Sequence, residues 1–453
     1  MCPVSRCKIT RHPHQSDYRM ENVNRNSKPQ VVIVGGGCGG IEAAKALRNA
    51  PVQVYVIDRV NHYLFQALLY QVAGSMLDAG DIAFPIREIL QKQKNAMVAQ
   101  AEVTGVDKEK RCILVSRLKH PIHYDYLVLA TGARGSYFGH DEWAAFAPGL
   151  KTLRDGIALR TRILRAFERA ELQENPESRP ELYTFVLVGA GPTGCETAGA
   201  LAEMVRHTLK SDFRHFDPAM TRIILIDAAS RVLPSFSPVL SQKARVRLED
   251  MGVEVRLGRT VERIDEEGVI VDGERIRSLN VLWMAGVQAS PAGQWLDART
   301  DPAGRVIVEP DLTVHGHPEI FVVGDTALVI GKDGKPLSGV AQVAMQGGSY
   351  AGRTIARRVA GQPSLPPFKY FDKGTLATIG RNYAVLESGK LKLAGFTANL
   401  VWAFIHIYFL LQKEDRFVVF LKWAFNYITR RRSSRIIEEP VTCRARPESG
   451  PET

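Results

Sequence analysis

Residues 30–58 read QVVIVGGGCGGIEAAKALRNAPVQVYVID, and their pattern is the clearest indication of the fold class. An apolar run leads into a glycine cluster, an alanine-rich stretch follows, and a second apolar run ends at Asp58. This order predicts a strand, a tight turn, a helix and a parallel strand. Gly35, Gly37 and Gly40 have the G-x-G-x-x-G spacing that lets backbone N–H groups at a helix N-terminus approach a pyrophosphate. Asp58 stands where an acidic side chain accepts hydrogen bonds from ribose hydroxyls.

The same pattern recurs later in the chain. Its glycines are Gly189, Gly191 and Gly194, and the acidic residue that ends the second apolar run is Asp227. Asp227 follows Gly194 by 33 residues, because a basic stretch, 206–222, lengthens the connection. An acidic residue at this position repels a 2′-phosphate, so we expect NADH to be preferred to NADPH. The alternative is that Asp227 only terminates a strand.

Two dinucleotide motifs in one chain suggest two nucleotides side by side, as when a nicotinamide passes hydride to a flavin. Residues 126–132 read YLVLATG and residues 320–325 read IFVVGD. The order of the four motifs resembles that of the two-dinucleotide-binding-domain flavoproteins. The resemblance implies that the first glycine motif binds FAD and the second NADH. It adds to the FAD site Thr131, Gly132, Gly324 and Asp325.

Within that superfamily, residues 30–432 resemble the type II NADH dehydrogenases, which are single-subunit NADH:quinone oxidoreductases. Five stretches carry this resemblance: 61–73 (NHYLFQALLYQVA), 189–199 (GAGPTGCETAG), 285–291 (AGVQASP), 339–347 (GVAQVAMQG) and 373–381 (KGTLATIGR). The chain departs from the family pattern at Ala67, Gln288 and Ser338. The resemblance implies an enzyme that uses FAD to pass electrons from NADH to a membrane quinone, and it adds Ala341 to the FAD contacts and Gly286 to the NADH contacts.

The resemblance also implies four catalytic residues. It places Glu196 beside the contact between nicotinamide and flavin, in the first turn of the helix after the second glycine motif, where a raised pKa lets a carboxyl relay a proton. Gln342 and Gln346 share a helix face if their segment is helical, next to the quinone pocket. Lys373 is expected to pair with Glu196. The residues alone leave simpler alternatives. Glu196 is then an acid favoured by the helix dipole, Gln342 and Gln346 form a polar helix face, and Lys373 is a surface lysine.

Composition narrows the class of protein. The chain has 453 residues, of which 45% are hydrophobic and 24% charged, as in ordinary globular proteins. Its six cysteines form no CxxC pair or zinc-like quartet, which predicts reduced thiols and no metal site. A net charge of +11 indicates an anionic partner. Nucleic acid is disfavoured, because no helix-turn-helix, zinc-finger or RNP-like sequence is present.

The C-terminal part carries much of the surplus charge. Residues 396–411 contain no Lys, Arg, Asp or Glu, and a second apolar run covers residues 417–428. Residues 413–435 hold seven basic and two acidic side chains. Both apolar runs are shorter than a membrane span, which needs about 20 residues. Short, aromatic and basic helices are typical of segments in a membrane interface, so we expect residues 396–435 to bind an anionic membrane surface. A hairpin packed on the protein itself or on a second copy is the alternative.

The predicted fold class is α/β, with two Rossmann-like domains, for FAD and NADH, and a C-terminal membrane-associating helical region. The predicted division is a disordered basic extension (1–29), an FAD domain in two parts (30–150 and 301–365), an NADH domain (151–300), a C-terminal domain (366–435) and a disordered tail (436–453).

We expect a non-pumping enzyme that is peripheral to the cytoplasmic face of a bacterial membrane and that reduces ubiquinone or menaquinone. A homodimer is left open. A sulfide- or disulfide-linked flavoprotein and a redox-sensing flavoprotein without turnover are the rival hypotheses.

Overall fold

A computed structural model of the chain describes residues 28–411, 413–429, 432 and 434–437. The disorder predicted for residues 1–29 and 436–453 therefore falls almost wholly outside the described residues.

The described residues form strands and helices in the alternating order expected of an α/β protein. The strands are β1 (Gln30–Val34), β2 (Gln53–Asp58), β3 (His62–Leu64), β4 (Ala83–Pro85), β5 (Ala96–Gln100), β6 (Val103–Asp107), β7 (Cys112–Val115), β8 (Ile122–His123), β9 (Tyr126–Leu129), β10 (Ala133–Gly135), β11 (Thr184–Val188), β12 (Arg222–Asp227), β13 (Val253–Leu257), β14 (Val261–Asp265), β15 (Gly268–Val271), β16 (Glu274–Arg277), β17 (Asn280–Trp283), β18 (Val287–Ala289), β19 (Val306–Ile307), β20 (Thr313–Val314), β21 (His317–Val322), β22 (Ala327–Leu328), β23 (Thr375–Thr378), β24 (Ala384–Ser388) and β25 (Leu391–Gly395). The α-helices are α1 (Cys38–Ala46), α2 (Leu69–Ala73), α3 (Ile86–Leu90), α4 (Leu153–Glu171), α5 (Pro192–Glu203), α6 (Pro238–Asp250), α7 (Ala292–Trp295), α8 (Ala341–Val359), α9 (Phe396–Phe409) and α10 (Lys413–Thr429).

The first glycine motif lies on a six-stranded sheet of order β20-β21-β9-β1-β2-β5. Every neighbouring pair is parallel except β20 and β21. Strands β1 and β9 are almost entirely buried, as parallel strands covered on both faces require, and their sequences are accordingly near-continuous apolar runs. Because β21 comes from far along the chain, two distant segments build one sheet.

Helices α1 and α8 pack so closely that only glycine fits between them. A Cβ on Gly348 would lie 1.9 Å from the carbonyl oxygen of Gly39, and one on Gly352 would lie 2.5 Å from that of Ala43. Both contacts advance by four residues in the same direction, so the helices are parallel. The N-terminal ends of both helices therefore point the same way, towards the first glycine motif.

The second glycine motif lies on a parallel sheet of order β13-β12-β11-β17. A three-stranded antiparallel sheet, β14-β15-β16, interrupts the chain between β13 and β17. The short antiparallel pair β10–β18 joins the segment after the ATG stretch to the segment 285–291. The predicted α/β class with two Rossmann-like halves is confirmed, whereas the domain boundaries remain a prediction.

Strands β23, β24 and β25 form an antiparallel sheet that leads into α9 and α10. The two predicted C-terminal helices are therefore present. No helix in the part of the chain that the structure describes is long and apolar enough to cross a membrane.

Helix α10 turns its polar side towards the protein. Lys422 Nζ donates to both carboxylate oxygens of Asp81, at 2.8 and 2.7 Å, and Asn426 Nδ2 donates to the carbonyl of Met76 at 3.2 Å. The apolar side of the helix consequently stays open.

This orientation corrects the expected use of the C-terminal charges. The prediction counted all the basic residues of 413–435 towards membrane binding. Lys422 instead pairs with the protein body, Arg432 is buried, and Arg435 pairs with Asp212. These three side chains bind carboxylates and carbonyl oxygens of the protein itself. They are therefore not available to bind lipid.

Candidate functional site

The two glycine motifs have equivalent geometry. Asp58 accepts a hydrogen bond from the N–H of Gly36 at 2.6 Å, and Asp227 accepts one from the N–H of Ala190 at 2.5 Å. Each acid thus braces the turn of its own motif from the end of the second strand. The unusual spacing of Asp227 does not displace it, because the extra residues form a π-helix, a 3₁₀-turn and the irregular segment between them, all ahead of β12.

The glycines test whether a dinucleotide fits. A Cβ on Gly40 or Gly194 would lie 1.8 Å from the carbonyl oxygen of the first glycine of its motif, so the third glycine is required by packing. Gly37 and Gly191 cap α1 and α5, and no atom lies within 4 Å of where their Cβ would stand. Open space before a helix N-terminus is what a pyrophosphate needs. The residues therefore fit one dinucleotide at each motif.

A cluster of hydroxyl groups joins the two halves. Thr131 Oγ1 lies 2.6 Å from Ser290 Oγ and 3.2 Å from Thr326 Oγ1. The carbonyl of Gly132 accepts from the backbone N–H of Ser290 at 3.1 Å and from the Thr326 hydroxyl at 3.2 Å. The ATG stretch, the IFVVGD stretch and the AGVQASP stretch, which are far apart in sequence, thus meet at one point.

Gly324 and Asp325 follow β21, and Ala341 begins α8, so these residues lie beside the first motif. The Asp325 carboxylate lies 3.4 Å from Lys151 Nζ. Sequence reasoning missed Lys151, because a single lysine ahead of a helix carries no distinguishing signal. The role of these residues in binding FAD remains a proposal.

Glu196 lies one turn further into its helix than expected. Helix α5 begins at Pro192, which makes Glu196 its fifth residue and not a first-turn acid. The helix dipole acts mainly on the first turn, so it explains this carboxyl poorly. The pKa of Glu196 is raised to about 8, mainly by burial. The N–H of Thr378 donates to Glu196 Oε1 at 3.3 Å and offsets a part of this increase.

Tyr70 of α2 belongs to the same cluster. Its hydroxyl lies 2.9 Å from Thr378 Oγ1, and Gln71 Nε2 donates to it at 3.0 Å. Burial, and then the charge of Glu196, raise the pKa of Tyr70. Sequence reasoning quoted the stretch 61–73 but assigned no role to this tyrosine, because its partner Thr378 is 308 residues away.

Gln342 and Gln346 anchor a loop. Gln342 Nε2 donates to the carbonyl of Gly374 at 2.9 Å, and its Oε1 accepts from the N–H of Lys373 at 3.3 Å. Gln346 bonds both the carbonyl and the N–H of Phe371, at 2.9 and 3.0 Å. Both amides, predicted to face a quinone, thus hold the loop 370–374 against the start of α8.

The predicted pairing of Lys373 with Glu196 is not present among the described residues. Lys373 is exposed, and its Nζ lies 5.6 Å from the ring centroid of Phe409 in α9. The reason is that Gln342 accepts from its backbone and the loop directs its side chain towards the C-terminal helices.

An exposed aromatic ring covers Gly286. Gly286 has φ +70°, and a Cβ there would lie 2.5 Å from Phe138 Cζ. Phe138 itself has φ 54°, a strained value for a large residue, and is 67% exposed while its ring packs edge-on against Trp283. Strained residues occur often at ligand sites, so Phe138 joins the candidate NADH site. Sequence reasoning missed it, because no local pattern reveals which residue covers Gly286.

Cysteine chemistry has little support in the described part of the chain. Cys38, Cys112 and Cys195 are free thiols, and the other three cysteines lie outside the described residues. Burial raises the pKa of all three thiols, which disfavours the nucleophilic thiolate. No group of three or more metal-ligating side chains occurs among the described residues.

Comparison with known proteins agrees with this geometry. Residues 29–348 match the pyridine nucleotide-disulphide oxidoreductase family, which is the class that two dinucleotide folds in one chain define. The type II NADH:quinone oxidoreductase Ndh of Mycobacterium tuberculosis is 44% identical over 423 residues, which cover 90% of each chain. A second protein of that organism, NdhA, is also 44% identical and covers 90% of this chain and 89% of its own.

The chain therefore belongs to the type II NADH:quinone oxidoreductases, and the resemblance seen in the sequence is confirmed. The structure of NDH2 from Plasmodium falciparum in complex with NADH has a TM-score of 0.82 at 20% identity, and covers 91% of this chain and 100% of that one. The sulfide:quinone oxidoreductase of Aquifex aeolicus has a TM-score of 0.68 at 18% identity, with coverage of 84% and 90%. The fold is thus shared with other chemistry.

Proposed function

We propose that this chain is an FAD-dependent NADH:quinone oxidoreductase. The observation that carries the proposal is the contact between the two halves, where Thr131 of the FAD side lies 2.6 Å from Ser290 of the NADH side. Hydride transfer needs the two nucleotides to lie close to each other. The contact between Thr131 and Ser290 brings the two candidate nucleotide sites together and so supports this arrangement.

The residues of the chain supply the rest of the chemistry. FAD held at the first glycine motif would supply the redox chemistry that links NADH to the quinone. Reduction of a quinone to a quinol by NADH consumes one proton besides the hydride. Glu196, whose pKa is raised to about 8 by burial, holds a proton at neutral pH, and this supports a role for it as the proton donor. Gln342 and Gln346 keep the loop 370–374 in place beside α8, whose N-terminal end stabilises negative charge.

The function is tested by mixing the purified yellow protein with NADH and a short-chain quinone. We expect NADH oxidation that requires the quinone, followed at the NADH absorbance band. Flavin reduction without quinone turnover would favour the rival hypothesis of a redox sensor. Turnover with sulfide in place of NADH would favour a sulfide-linked enzyme.

We expect Asp227→Asn to narrow the preference for NADH over NADPH. Asparagine keeps an oxygen for the N–H of Ala190, loses the acceptor for the N–H of Ala229, and removes the charge that repels a 2′-phosphate. The ratio of the two kcat/KM values should change by about tenfold. Asp58→Asn, the matched change in the first motif, should leave that ratio unaltered. A ratio unchanged by Asp227→Asn would rule out the ribose role.

We further propose that the C-terminal helices attach the protein to the membrane. Large apolar side chains that are exposed on these two helices are Phe396, Leu400, Phe404 and Tyr408 on α9, and Phe417, Val418, Phe420, Leu421, Phe425, Tyr427 and Ile428 on α10. Large apolar side chains that stay exposed together on neighbouring helices mark an interaction site. The partner that we propose for this surface is the membrane, because the quinone substrate is dissolved in the lipid.

Three of the basic residues of 413–435 are used within the protein, so we propose that apolar contact dominates and that anionic lipids add a smaller contribution. The supply of NADH and the free thiols support a place on the cytoplasmic face of the membrane. A homodimer stays a prediction.

Phe404→Glu, Phe420→Glu or Ile428→Glu should release the protein from liposomes without unfolding it, because these three side chains are exposed. Losing one buried aromatic or aliphatic side chain removes about 1.5–3 kcal/mol of binding, which corresponds to about 10- to 100-fold weaker partitioning. Sedimentation with vesicles of neutral and anionic lipids measures it.

Leu172→Glu is the matched control, since Leu172 is at least as exposed as the three test residues but lies at the end of α4. It should bind vesicles like the unaltered protein. Release by salt alone, with the three glutamate variants still bound, would contradict apolar docking.

A further inference from the structure

A continuous chain of polar groups connects α10 to Glu196. Trp423 Nε1 donates to Gln71 Oε1 at 2.9 Å, and Gln71 Nε2 donates to the hydroxyl of Tyr70 at 3.0 Å. That hydroxyl lies 2.9 Å from Thr378 Oγ1, and the backbone N–H of Thr378 donates to Glu196 Oε1 at 3.3 Å.

The indole of Trp423 sets the direction of this chain. An indole N–H can only donate, so Gln71 must turn its oxygen towards Trp423 and its nitrogen towards Tyr70. The Tyr70 oxygen then accepts from Gln71, and it lies 2.9 Å from Thr378 Oγ1. The chain from α10 thus ends at the Thr378 side chain, and the backbone N–H of the same residue contacts Glu196.

The chain is buried, so its bonds cannot be replaced by water without cost. Gln71, Tyr70 and Thr378 are 2%, 6% and 3% exposed. A buried polar group that loses its partner is destabilised, because it keeps the cost of desolvation without the hydrogen bond. The three residues therefore respond together when one bond is lost.

The position of Trp423 depends on how α10 is seated. Its ring stacks on Trp402 of α9 with centroids 5.1 Å apart, and the neighbouring Lys422 pairs with Asp81. The opposite side of α10 is the exposed apolar surface. A displacement of α10 therefore breaks the chain at its first bond.

Few titratable groups lie near Glu196 among the described residues. Cys195 neighbours it on its own helix, and Tyr70 faces it from α2. The buried guanidinium of Arg432 faces Tyr70 and Glu203, and donates to two backbone carbonyls at 2.6 and 3.0 Å. The bond from Thr378 is thus the principal contact that favours the ionised carboxyl.

We propose that Tyr70 is a positioning residue for Glu196, and that Trp423 and Gln71 make its hydrogen bond to Thr378 depend on the seating of α10. The proton-holding site is then complete only when the membrane-facing helix lies against the protein body. This inference deepens the proposed function and rests on it.

Trp423→Phe tests the link, and Trp402→Phe is its control. Phenylalanine keeps an aromatic ring in the stack and removes only the N–H. Trp402 is buried beside Trp423, but its N–H has no partner among the described residues. Both variants therefore remove an indole N–H, but only Trp423→Phe removes one that donates to Gln71.

The N–H of Thr378 favours the ionised Glu196 carboxylate by donating to it. We expect Trp423→Phe and Tyr70→Phe to weaken that contact, so both should move the Glu196 titration to higher pH. A net hydrogen bond of about 0.5–1.5 kcal/mol corresponds to a shift of roughly 0.4–1 pH unit. The shift is read from the pH profile of turnover and, independently, from thermal unfolding of the holoprotein between pH 6 and pH 10. Trp402→Phe should show neither change.

Equal profiles for Trp423→Phe and Trp402→Phe would overturn the link to α10, and an unshifted Tyr70→Phe would overturn the positioning role. An unaltered protein that does not reduce quinone would refute the proposed function instead. The unfolding measurement still reports on Glu196 in that case, so the two failures are distinguishable.

Discussion

Gly37→Ala is expected to yield a colourless protein, whereas Gly191→Ala should stay yellow and lose affinity for NADH. Both glycines precede a helix and open onto free space. A methyl group at either position meets no protein atom, so the fold is retained and only the approach of a pyrophosphate is blocked. The two substitutions therefore separate the two nucleotides.

The expected effects are large. Hydrogen bonds to charged groups contribute about 1.5–3 kcal/mol each, so losing one from a pyrophosphate weakens binding by about 10- to 100-fold. Flavin absorbance per protein measures the first variant. The KM for NADH and the rate of flavin reduction measure the second.

Gly40→Ala and Gly194→Ala serve as contrasts. Their Cβ atoms would lie 1.8 Å from a backbone oxygen, so these variants should be destabilised even without nucleotide. Thermal unfolding distinguishes them from the Gly37 and Gly191 variants. Loss of flavin from Gly191→Ala, with Gly37→Ala still yellow, would reverse the assignment of the two motifs.

Glu196→Gln is expected to slow quinone reduction by about 100-fold or more at pH 7, since positioned proton donors contribute about 10²–10⁴-fold. Burial raises the pKa of this carboxyl to about 8. The rate of the unaltered protein should thus be high below that pH and fall as the pH rises through it. The variant should lack this limb. Single-turnover mixing with NADH and then with quinone measures each half-reaction.

The same group should affect stability in a predictable direction. The pKa is about 8 in the folded protein and 4.5 when unperturbed, so the folded state holds a proton that the unfolded state releases between these values. Stability therefore falls as the pH rises from about 4.5 through 8. Glutamine cannot ionise, so Glu196→Gln should melt at a higher temperature than the unaltered protein at pH 9, and at a similar one near pH 4.5.

Glu168→Gln on the exposed side of α4 is the control and should not change the pH dependence. Half-reactions left intact by Glu196→Gln would exclude a proton-donating role. Identical melting profiles would show that the carboxyl is ionised in the folded protein.

Much of the nucleotide-binding fold could be predicted from the sequence. The β-branched runs, the glycine spacings and the acids at Asp58 and Asp227 depend on local sterics, and the structure places both acids in the same contact with their turns. The C-terminal helices were equally predictable from their composition. Their orientation was not, because whether Lys422 meets water, lipid or Asp81 depends on what lies opposite.

The candidate site shows the same division. The two glycine turns and the acidic residues that contact them could be predicted from the sequence, since these are properties of short contiguous segments. Three contacts depend instead on the packing of distant segments: Gln342 and Gln346 hold a loop, Lys373 points away from Glu196, and Tyr70 meets Thr378 across 308 positions. The physical reason is that a local pattern specifies how a segment folds, whereas the partner of a side chain depends on how distant segments pack.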